Sequence, residues 1–112
     1  MRLSPQYIDV FSRVISEYLD KNDKAELRLY GSRVHDELKG GDIDLLLLID
    51  EEKNAKSIRL LKPKILGKIF QLIDEQKIDL LIMSYEKAKQ DAFVQMILKG
   101  SVVIQHWGRN SN

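Results

Sequence analysis

Gly31-Ser32-Arg33-Val34-His35-Asp36-Glu37-Leu38-Lys39-Gly40-Gly41-Asp42-Ile43-Asp44-Leu45-Leu46-Leu47-Leu48-Ile49-Asp50 runs from a glycine turn through a polar loop into an aliphatic run. A strand that is apolar at odd and even positions alike is covered on both faces, so Asp42–Asp50 reads as a central strand. Its first residues are acidic, where an uncompensated charge would be costly to bury.

Upstream, Ala25–Tyr30 alternates, with Leu27 and Leu29 on one face, and predicts a half-buried strand that ends at Gly31. Ser32 is placed to cap a short segment over Arg33–Glu37. Further upstream, Ser4-Pro5 followed by Ile8, Phe11, Ile15 and Tyr18 predicts a capped helix from residue 5 to about residue 21.

Downstream, residues 51 to 57 read as a polar loop. Ile65, Ile69, Leu72 and Ile73 then predict a helix up to Glu75, with Pro63 in its first turn or at a kink in a helix that starts earlier. Lys77–Met83 predicts a third strand with Asp79 near its head. Ser84 caps a helix through about Lys99, with Tyr85, Ala88, Ala92 and Met96 facing inward, and Val102–Ile104 forms a last strand after Gly100. The expectation is a single α/β (α+β) domain over residues 1–112, a mixed sheet of about four strands flanked by helices, with 108–112 as a flexible tail.

The chain carries 18 Lys and Arg against 17 Asp and Glu, a formal charge of +1, so no broad field favours direct nucleic-acid or membrane binding. It has no cysteine, which excludes disulfides, thiolate nucleophiles and thiolate zinc sites. The start leads into a charged amphipathic stretch with no apolar signal core, and no run is long enough to span a bilayer. The expectation is a soluble, cytoplasmic protein.

Asp42 and Asp44 share a face of their strand, roughly 6 to 7 Å apart given a rise of about 3.3 Å per residue. A divalent cation turns their repulsion into attraction, and magnesium is usually held by one or two carboxylates, with waters and phosphates completing its shell. Taken alone, such a pair is better explained as a solvated or ion-paired strand end. Gly31-Ser32 adds backbone N–H groups and a hydroxyl that suit an anion, and Arg33 a planar fork of donors. His35, His106-Trp107, Lys62 and Lys64 read as solvent-facing or packing residues, and Asp36 and Glu37 as a solvated turn.

Gly31-Ser32, nine intervening residues, Asp42-Ile43-Asp44-Leu45, and then Asp79 at the head of another strand resemble the DNA polymerase β nucleotidyltransferase superfamily. The stretch Gly31–Leu45 is most similar to the minimal nucleotidyltransferases, or MNT proteins, which often act as antitoxin beside a HEPN ribonuclease toxin. The intervening segment is one residue shorter than in many of them. The resemblance implies ATP as substrate, two Mg2+ ions held by Asp42, Asp44 and Asp79, and Asp79 activating the attacking hydroxyl. It implies nucleotide binding by Gly31, Ser32 and Arg33, and AMP transfer to a hydroxyl, a tyrosine of a HEPN toxin. The alternatives are a non-catalytic antitoxin that binds its toxin stoichiometrically, or transfer to a small molecule or an RNA end.

Overall fold

The computed structural model describes residues 1–35, 41–74 and 77–108. The aliphatic run becomes β2 (Ile43–Ile49), in which Leu45, Leu46 and Leu47 have no exposed surface, so the strand is covered on both faces as its composition requires. β1 (Ala25–Tyr30) lies antiparallel to it, β3 (Ile78–Ser84) parallel to it, and β4 (Val102–Trp107) antiparallel to β1. The sheet order is β3-β2-β1-β4.

Ala25, Leu27, Leu29, Ile43, Leu45, Leu47, Leu80 and Ile82 face the larger core. That core is closed by α1 (Pro5–Ser16), α2 (Glu52–Leu60) and α3 (Lys62–Leu72), through Phe11, Ile15, Ala55, Ile58, Ile65 and Ile69. On the opposite face Tyr30, Leu46 and Leu48 meet Ala88 of α4 (Tyr85–Lys89) and Val94 of α5 (Ala92–Leu98). Two apolar layers on a mixed sheet give the α/β architecture expected from the sequence.

Ser4 caps α1 by accepting from the Tyr7 N–H at 3.1 Å, with Pro5 in the first turn. α1 ends at Ser16, earlier than its apolar spacing suggests. Beyond it the Asp23 carboxylate accepts from the Asp20 N–H at 2.7 Å and from Asn54 at 2.6 Å, and so draws the chain into a turn.

Two expectations need correction. Residues 51 to 57 lie mostly in α2, a helix with only Ala55 and Ile58 buried, which supplies the crossover that the parallel β2–β3 pair requires. Arg59 ties it to β3 by donating to the Ile82 carbonyl at 2.9 Å. The single helix expected after Ser84 is two, because Asp91 starts a new one by accepting from the Val94 N–H at 3.0 Å. This break leaves Met96 and Ala92, expected inside, on the exposed side.

The last strand runs on to Trp107, whose indole N–H donates to Ser16 at 2.8 Å. α3 ends at Leu72, short of the expected Glu75, because Ile73 takes extended backbone. The short segment expected over Arg33–Glu37 is a turn over Gly31–Val34 that contains Ser32, with no side-chain cap, and His35 is already extended. Asp36, Glu37, Gly40, Glu75 itself and the tail beyond Gly108 lie outside the described residues. Among the described residues, no helix is long and apolar enough to cross a membrane.

Candidate active site

The strand register brings together residues far apart in the chain. Asp44 of β2 stands beside Asp79 of β3 on one side and Tyr30 of β1 on the other. Neighbouring strands lie about 4.8 Å apart, so the two carboxylate stems are close neighbours on one face. Asp42 precedes Asp44 by two residues, just ahead of β2. The face is the one that α4 and α5 partly cover, as the shared parity of Asp44, Leu46 and Leu48 shows.

The electrostatics follow from this crowding. The Asp44 carboxyl is held above the usual carboxylate range, first by burial and then by the charges of Asp79 and Asp42. The Tyr30 hydroxyl is pushed up to about 12, again by burial first and then by Asp79 and Asp44, so it keeps its proton at neutral pH.

Gly31–Val34 forms a single 3-10 turn directly after Tyr30. Gly31 has φ +79°, and a Cβ there would stand 2.5 Å from Asp44 Oδ2, so its bare backbone is what lets the turn lie against the carboxylate. Ser32 is packed under Gly41 in the same manner: Gly41 has φ +91°, and a Cβ on it would collide with the Ser32 hydroxyl.

The turn is held from below by the chain's second residue. The Arg2 N–H donates to the Arg33 carbonyl at 2.7 Å, and its guanidinium donates to the carbonyls of His35 at 3.2 Å and Ser32 at 3.4 Å. Arg33 in turn donates to the carbonyls of Arg2 at 3.3 Å and Gly41 at 3.5 Å, bridging the turn and the lead into β2. Arg33, expected beside a phosphate, thus also braces the loop.

The donor set suits a divalent cation. Asp44 pairs with Asp79 across two adjacent strands and Asp42 lies two residues ahead, and the repulsion that raises the Asp44 carboxyl is what such an ion relieves. Among the described residues, no three acidic or imidazole side chains form a complete metal-holding group.

A cleft of about 480 Å³ opens beside the turn, lined by Tyr30, Gly31, Ser32 and His35 on one wall and Phe93, Met96, Ile97 and Gly100 on the other. Tyr30, Arg2 and the α5 wall were missed by sequence reasoning. Only Tyr30 left a signal, since it directly precedes Gly31-Ser32.

The model of the nucleotidyltransferase domain family matches residues 12–107, from within α1 to the end of β4. The chain belongs to that family, and a nucleotide is its substrate. No curated protein and no solved structure matches the chain.

Proposed function

We propose that the protein transfers AMP from ATP to a hydroxyl, a tyrosine on a cognate HEPN toxin, and so silences a ribonuclease. The observation that carries the reaction centre is the register that sets Asp44 beside Asp79, with Asp42 two residues away and the Gly31 turn against Asp44. The toxin as acceptor rests on the likeness of Gly31–Leu45 to the MNT proteins. A formal charge of +1 also suits a protein acceptor better than a polyanionic one.

Asp42, Asp44 and Asp79 would hold two Mg2+ ions. When bound, magnesium offsets the charge on the triphosphate and makes a coordinated hydroxyl easier to deprotonate. Gly31 and Ser32 orient the triphosphate with backbone N–H groups and a hydroxyl, and Arg33 adds positive charge at the base of the turn. Asp79 takes the proton of the attacking hydroxyl. The acceptor's hydroxyl oxygen bonds to the α-phosphorus, the bond to the bridging oxygen of the leaving group breaks, and pyrophosphate departs with that electron pair.

Intact mass of the co-expressed partner tests this reading. Wild type adds one or more AMP units, and Asp42→Ala/Asp44→Ala lowers the modification by on the order of 10²–10³-fold or more. An unmodified partner that still co-purifies and is neutralised would replace the transferase reading with stoichiometric binding.

A further inference from the structure

α5 carries apolar side chains on two faces. Val94 is buried and, together with Ile97 and Leu98, packs on Leu46 and Leu48 of the sheet. Phe93, Met96 and Gly100, at i, i+3 and i+7, line the cleft instead, and Ile97 borders both. Phe93 is 51% exposed and Met96 62% exposed. Scattered apolar residues on a surface need no explanation. Here, however, two large ones form a ridge along one side of a cleft whose other wall is the Tyr30-Gly31-Ser32 turn.

We infer that the Phe93–Met96 ridge is the shelf on which the base of the donor nucleotide stacks, while its phosphates run to the Gly31-Ser32 turn and the carboxylates. The inference rests on the reading that the turn takes the triphosphate, and it adds what the other end of the nucleotide meets. The cleft, at about 480 Å³, falls within the range of small-molecule sites, roughly 300–1,000 Å³.

Its chemistry selects the base over the other groups in the reaction. Among the described residues, the Phe93, Met96, Ile97 and Gly100 side of the cleft carries no charged side chain, which suits a planar ring, and leaves the Gly31-Ser32 side for the phosphates. A phenyl ring and a thioether both bind flat π systems well. Position separates the base from the acceptor. The acceptor hydroxyl has to reach Asp79 on β3, whereas the cleft opens at the end of β1, beyond β2 in the sheet, and no β3 residue lines it.

The ridge offers apolar faces, so purine nucleotides, with the larger ring area, bind more tightly than pyrimidine nucleotides.

Calorimetric titration of the whole chain with magnesium ATP and with magnesium tripolyphosphate tests this. Phe93→Ala/Met96→Ala weakens ATP binding about tenfold, the scale of losing a stacked base, and leaves tripolyphosphate binding unchanged. That unchanged binding also reports that the variant is folded. Phe93→Trp keeps ATP affinity and shows nucleotide-dependent quenching of the new indole.

Equal ATP affinity in wild type and the double variant would overturn the inference, as would equal weakening of both ligands. A higher acceptor requirement at unchanged ATP affinity would give the shelf to the acceptor and also overturn it. Shelf-dependent ATP binding with no AMP on the partner would sustain the shelf and sink the toxin-directed reading alone.

Discussion

At the scale of the residue, Asp44 concentrates both the chemistry and its cost. Burial and two like charges raise its proton affinity, so its contribution to folding stability is whole below the ordinary carboxylate value of 3.8 and lost as pH rises through the raised one. At neutral pH and without divalent cations the ionised group is therefore a liability. Asp44→Asn is expected to raise stability in chelator by less than about 1 kcal/mol, since solvent screens this partly exposed group, read as an increase in the urea midpoint, while the proposed transfer is lost. Acidification toward pH 4 narrows the difference. A variant less stable than wild type at neutral pH would show that Asp44 is held by favourable contacts. The three aspartates were legible because each stands at the head of an apolar strand, where a charge is conspicuous. Tyr30 and Arg2 were not: the one owes its place to strand register and the other to a turn docking on the amino-terminal segment, and neither leaves a periodic trace.

At the scale of the element, the 3-10 turn and α3 show what a methyl group costs in two backbones. Gly31 has positive φ and no room before Asp44 Oδ2, so Gly31→Ala is expected to cost about 1–3 kcal/mol in urea denaturation and to weaken tripolyphosphate binding. Gly67 lies within α3, and a Cβ there would meet nothing within 4 Å. Gly67→Ala is expected to stabilise by roughly 0.5–1 kcal/mol. Reversal of the two signs would overturn this account of the turn. β1 and β2 were legible almost to the residue, because alternation and an unbroken aliphatic run are local patterns. α2 was not, since two buried residues in a charged stretch give little periodicity and the crossover alone demands a helix. The division of α4 from α5 had its signal in Asp91, a capping residue outweighed by the longer apolar spacing.

At the scale of the whole molecule, Tyr85 joins the helical cover to the sheet. Its hydroxyl donates to Glu26 Oε1 at 2.9 Å, Glu26 accepts from Arg28, and Arg28 donates to Ser101 at 2.8 Å, linking α4, β1 and the lead into β4. Burial first, and then the bond to Glu26, raise the Tyr85 hydroxyl above the usual tyrosine value of 10.0. Its contribution to stability is thus whole below pH 10 and lost as pH rises through the raised value. Tyr85→Phe is expected to cost about 0.5–1.5 kcal/mol at pH 8 and to flatten the decline in urea midpoint above pH 10. Parallel curves for the two proteins would refute the linkage. The parallel pairing of β2 with β3 carries a kinetic consequence. Asp44 and Asp79 become neighbours only after the long α2–α3 segment has closed, a slow, non-local event beside the β1–β2 pairing. A partly refolded chain holds only part of the proposed site, so regain of full nucleotide affinity is expected to lag regain of helical signal and to report the final closure of the sheet.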